Sequence, residues 1–105
     1  MKLDTIKDFY NEINIHIFDR KLVMPYMGLC RWNNYLGEYY GRGNRRHWMR
    51  FNRELPIDLA MPVIFHEMIH QYQYEILNIA PNHGVTFYAF EPLAQGLDWP
   101  FGREL

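Results

Sequence analysis

The spacing of apolar residues changes twice along the chain, and this constrains the fold more than any other feature. Between residues 3 and 18, Leu3, Ile6, Phe9, Tyr10, Ile13 and Ile17 recur in steps of three and four, with Lys and Asp between them. That period predicts an amphipathic helix ending near residues 19–21. Between Met27 and Asn52 alternation replaces it, aromatics crowd in, and Gly28, Gly37, Gly41 and Gly43 punctuate the run. Asn33-Asn34 and Gly41-Arg42-Gly43-Asn44 separate three short stretches, 29–32, 35–40 and 45–51. Turn residues between alternating runs predict two hairpins, hence a three-stranded antiparallel sheet. In the third stretch His47, Met49 and Phe51 fall on one face and Arg46, Trp48 and Arg50 on the other.

The helical period returns after Pro56 and Asp58, with Met61, Phe65, Met68, Ile69, Tyr72 and Ile76 as the expected buried stripe. Pro62 is tolerable only in or beside the first turn. A break over 78–82, containing Pro81, precedes a last helix expected from about residue 83 to residue 95, which Pro92 should kink or end. Helix, strands, helix, helix is the order of one α+β domain spanning residues 1–105.

The chain is 49% hydrophobic and 17% aromatic, which supplies a packed core and excludes a disordered segment. Net charge is −1, so no global field favours nucleic acid or a membrane. The charge is uneven, however. Asp4, Asp8, Glu12 and Asp19 lie near the start, whereas Arg31, Arg42, Arg45, Arg46, Arg50 and Arg53 face the single acid Glu38 in the middle. Arg42, Arg45, Arg46 and Arg50 among Tyr39, Tyr40 and Trp48 suit DNA, through its phosphate backbone and stacked single-strand bases. They equally suit a solvated hairpin face. Apolar runs of signal-peptide length are missing, as are the roughly 20 apolar residues of a membrane span, so an intracellular, membrane-free protein is expected. Cys30 is the only cysteine and reads as a small buried residue; a metal would therefore be held by His, Asp or Glu.

The chemistry sits in His66-Glu67-Met68-Ile69-His70. Side chains four apart on a helix lie one above the other, so both imidazoles can reach one ion from a single rigid element. Glu67 is rotated by about 100° from His66, using 3.6 residues per turn. It can reach a water beside the metal without becoming a ligand, as general base for metal-assisted hydrolysis. Two ordinary histidines on a helix give the same pentapeptide, but a catalytic zinc also needs a third protein ligand. His83, thirteen positions after His70, and Glu91, twenty-one after it, are the two candidates. The metzincin pattern is excluded because Gln73 and Ile76 stand where Gly and His are required. His16 and His47 read as structural or surface residues, His47 as a neighbour of the cleft. Tyr72, Tyr74 and Tyr88 are candidate oxyanion donors better explained by packing.

Several motifs combine. His66-Glu67-x-x-His70 is followed by His83-Gly84-x-x-Phe87, and preceded by Phe18-Asp19-Arg20-Lys21-Leu22, Trp32, Tyr40-Gly41-Arg42-Gly43 and Phe51-Asn52. In that order they resemble the SprT-like, Spartan-type zinc metalloproteases, over about residues 6 to 95. The resemblance implies a zincin-like fold whose C-terminal helix carries the third ligand. It implies Zn2+ on His66, His70 and His83, and Glu67 as general base, leaving Glu91 an ordinary helix residue. Gly84 would let the backbone pass close to the metal, and Phe87 would pack the last helix on the catalytic one. The implied activity is peptide-bond hydrolysis in protein substrates, including protein crosslinked to DNA. The zinc ribbon of many members is not expected, with Cys30 alone. A zinc-containing nucleic-acid-binding or adaptor module with vestigial or no peptidase activity is the alternative, and hydrolysis of a small amide a third reading.

Overall fold

A computed structural model of the chain describes residues 1–32, 34–41 and 47–105. The architecture is α+β, with helices packed against a three-stranded mixed sheet. Helix α1 spans Leu3–His16 and buries Ile6, Tyr10 and Ile13, the stripe its period predicts. Asp19 and Arg20 then adopt left-handed backbone, with φ of 54° and 60°, which sends the chain back on itself. The Asn14 side chain clasps Leu22 through both its N–H and its C=O. Phe18 and Leu22 are thereby both turned into the core, and Phe18 packs on Phe65, Tyr72 and Phe90. This is the physical content of the Phe18-Asp19-Arg20-Lys21-Leu22 motif.

The strands are β1, Tyr26–Cys30; β2, Gly37–Tyr40; and β3, Trp48–Asn52. Their spatial order is β1-β3-β2, with β1 parallel to β3 and β2 antiparallel to it. The expected all-antiparallel sheet of two hairpins is therefore wrong. The chain leaves β1, skips one strand position to lay down β2, and β3 fills the gap. Asn52 holds the crossing, because its side-chain amide donates to the carbonyls of Trp32 and Tyr35 at 2.8 and 2.9 Å. Alternation along β3 is as expected, with Met49 and Phe51 buried and Trp48 and Arg50 exposed. The turns expected at Asn33-Asn34 and Gly41-Arg42-Gly43-Asn44 include residues outside those described.

Helix α2 runs over Ile57–Glu75. Instead of the expected one-sided stripe it is buried on nearly every face from Ala60 to Gln73, while Ile76 lies beyond its end and Met61 is only partly covered. A helix enclosed all round is the central element of a fold. Here α1 covers one side and β2 lies against another. Pro62 falls in the second turn, one turn later than ideal, at the cost of one helical hydrogen bond. The last helix is two short ones, α3 at Val85–Tyr88 and α4 at Glu91–Gly96. Pro92 opens α4 near its first turn, the position proline favours, and does not kink a longer helix. Among the described residues, no helix is long and apolar enough to cross a membrane.

Candidate metal centre

Buried polar side chains interrupt the otherwise apolar α2: His66, Glu67, His70, Gln71 and Gln73. Gln71 is accounted for structurally, since it accepts from the Tyr10 hydroxyl at 2.8 Å and donates to the Val23 carbonyl at 2.8 Å. The Nε2 nitrogens of His66 and His70 are not satisfied in that way. They lie 3.2 Å apart, and the His83 Nε2 completes the triangle at 3.2 Å from His70 and 3.3 Å from His66. His83 stands just before α3, not within a helix as expected, and Gly84 follows it as the helix cap. The other candidate for the third ligand, Glu91, begins α4 and does not join the cluster.

Imidazole lone pairs aimed at one point repel unless a cation occupies it. Four ligands around a tetrahedral ion with bonds of about 2.0–2.1 Å are separated by about 3.3 Å. The three observed separations match that requirement, and the histidines could hold a metal ion. Their protonation states fit as well. Burial, reinforced by His70 and His83, drives the His66 pKa down to about 3. The Gly102 backbone opposes that shift, yet His66 Nδ1 closes no hydrogen bond. Burial also lowers His70 and His83, with Arg103 adding to the effect on His83. All three shifts run toward the neutral imidazole, the form that ligates.

Glu67 lies beside the triangle, its Oε2 4.0 Å from His66 Nε2. Burial raises its pKa to about 8; Glu38 adds to the rise and the Tyr39 backbone amide opposes it. Phe87 lies beneath the triad, fully buried, with ring centroids 4.9, 5.5 and 4.9 Å from those of His66, His70 and His83. Its own support is Phe101, stacked at 4.7 Å.

The centre opens into a cleft of about 530 Å³. One wall is residues 34–39 and the other is Arg103, Glu104 and Leu105. β2 is an edge strand. The amide of Asn52 donates to the Leu36 carbonyl, so in the alternating antiparallel pattern Gly37 and Tyr39 turn their backbone polar groups away from β3. Gly37 also admits the close approach of β2 to α2: a Cβ there would stand 2.9 Å from the Phe51 ring and 3.2 Å from Val63.

The other sequence candidates fall elsewhere. His16 pairs with Glu12 on the surface, and His47 with Tyr39 and Glu75, outside the cleft lining. Tyr72, Tyr74 and Tyr88 pack on aromatic neighbours and do not line the cleft. Cys30 is a half-buried strand residue. Arg50 is ion-paired with Glu38 and lies over the Trp32 ring. Arg42, Arg45 and Arg46 lie outside the described residues. Sequence reasoning missed Arg103 and Glu104, which carry no motif, and Gln73, whose spacing of three from His70 was the available signal. No family model, curated protein or solved structure matches this chain.

Proposed function

We propose that the chain is a zinc metallopeptidase of the SprT-like, zincin-like type, cleaving extended protein segments. The observation that carries this reading is the conjunction of three converging Nε2 atoms with a buried carboxylate 4.0 Å away. Zinc fits best among divalent ions, because the donors are all imidazole with tetrahedral spacing and an adjacent base suits hydrolysis. Among the described residues no fourth protein donor joins the cluster, which favours a catalytic over a closed structural site.

In this reading His66, His70 and His83 hold the ion. When bound, zinc supplies Lewis-acid polarisation of the scissile carbonyl and acidifies a water to near neutrality. Glu67 takes the proton from the attacking water and delivers it to the leaving amine. Its carboxyl is placed for both, beside the triangle at 4.0 Å from His66 Nε2. The outer edge of β2 at Gly37, whose backbone turns away from β3, receives the substrate backbone as an added strand, which favours unstructured protein over a small amide. Protein attached to DNA is the substrate class the family resemblance points to.

The test compares wild type with Glu67→Gln, assaying zinc content and cleavage of an unfolded protein with and without DNA. Catalysis requires about one zinc in both and turnover only in wild type. Equal activity in both proteins, or none under any condition, refutes the peptidase reading; zinc and DNA binding without turnover would select the adaptor module instead.

A further inference from the structure

We propose that Gln73 is the positioning residue that assembles the metal centre, fixing the lone pair of His70 and latching the loop that delivers His83. The inference rests on the metal site proposed above and concerns how that site is built. Gln73 is fully buried, one turn beyond His70 on α2. Its amide is the meeting point of two ligand-bearing segments. The oxygen accepts the Asn82 backbone N–H at 3.1 Å and lies 2.9 Å from His70 Nδ1. The nitrogen donates to the Asn82 carbonyl at 3.1 Å and to the Thr86 hydroxyl at 2.9 Å.

This pattern removes the usual ambiguity of an amide. A backbone N–H can only donate and a backbone carbonyl can only accept, so Asn82 fixes which end of Gln73 is oxygen. The oxygen therefore faces His70, whose Nδ1 must carry the proton. Its Nε2 is left with the lone pair that points at His66 and His83.

The same amide grips both backbone polar groups of the residue immediately before His83. After α2 the chain turns through Asn78, in left-handed backbone at φ 57°, and returns along the helix end. His83 is itself exposed and rests on Phe87 by one contact of its ring, so burial does not enclose it. Asn82 is held twice by Gln73, and its side chain in turn accepts the Gly84 N–H at 2.8 Å, so His83 sits between two tethered neighbours. His66 and His70 are preset by one helix; the third ligand is brought in by Gln73.

The experiment measures zinc affinity, by chelator competition, for wild type, Gln73→Leu, Gln73→Glu, His83→Ala and the two Gln73/His83 double variants, each checked for folding in the metal-free state. Gln73→Leu should loosen zinc by about 10- to 100-fold. Combined with His83→Ala its loss should fall short of the sum, because a latch with no ligand to deliver has nothing left to lose. Gln73→Glu keeps an oxygen toward His70 and loses both donors. It should loosen zinc when His83 is present and cause no further loss when His83 is absent. Affinity of both single Gln73 variants within about twofold of wild type, or losses that simply add, would overturn the proposal. Since the readout is zinc binding, absent turnover in wild type sinks the peptidase reading alone. Absent zinc binding in wild type sinks the metal reading with it.

Discussion

Replacing Glu67 by Gln should make the metal-free protein more stable at neutral pH while abolishing the hydrolysis proposed above. Glu67 is 3% exposed, and burial raises its pKa from the ordinary 4.5 to about 8. The native state therefore holds a proton that the unfolded chain has released, across the window from 4.5 to about 8. A group whose folded pKa is raised contributes stability below its unfolded pKa and loses it as pH climbs through the window. At about 1.4 kcal/mol per pH unit, the loss between pH 4 and pH 7 is about 3 kcal/mol. That is a large share of the roughly 5–15 kcal/mol that holds a small domain together. Gln has the same shape and no titration. Urea unfolding of both proteins in chelator, at pH 4.5 and pH 7, isolates the effect, because the histidines titrate in both and cancel in the difference. The advantage of Glu67→Gln should grow by about 2–3 kcal/mol between these pH values and shrink when zinc is added. An advantage that is independent of pH, or a variant less stable at pH 7, would refute the argument that desolvation dominates this carboxyl.

Acidification acts through the opposite arm. His66, pushed from 6.5 down to about 3 by burial, contributes stability that is complete above pH 6.5 and falls away toward pH 3, so zinc release and unfolding should track together in an acid titration followed by circular dichroism. Phe87→Ala removes a fully buried ring beneath all three histidines and should cost about 3–5 kcal/mol in denaturant unfolding, with weaker zinc binding in the fraction that folds. Gly37→Ala drives a methyl into Phe51 and Val63 and should destabilise by about 1–3 kcal/mol; unchanged stability would mean β2 can retreat from α2. His83→Ala should lower zinc affinity and Glu91→Ala should not, as measured by chelator competition.

The elements legible in advance were those whose signal is local. A period of three to four located α1 and α2, and alternation separated the buried Met49 and Phe51 from the exposed Trp48 and Arg50. The order of strands was not legible, because alternation states which face of a strand is buried and nothing about which strand is its neighbour. The β1-β3-β2 order is tied by Asn52 bonding to carbonyls of Trp32 and Tyr35, twenty and seventeen residues away. The stripe expected on α2 failed for a related reason. Its two buried glutamines are matched to partners that only folding supplies: Gln71 to Tyr10 and Val23, and Gln73 to Asn82 and Thr86.

The pair His66 and His70 was written into the chain, since two residues four apart on one helix share a face whatever surrounds them. The choice between His83 and Glu91 was not fixed by spacing, and only the His83-Gly84-x-x-Phe87 resemblance pointed to His83. Both lie within reach along a flexible chain, and spacing sets reach without direction. Direction came from the left-handed turn at Asn78, the Gln73 amide holding Asn82, and the short α3 that swings His83 to within 3.3 Å of both other rings. Local covalent geometry thus specified two of the three nitrogens, while long-range hydrogen bonding and packing brought in the third.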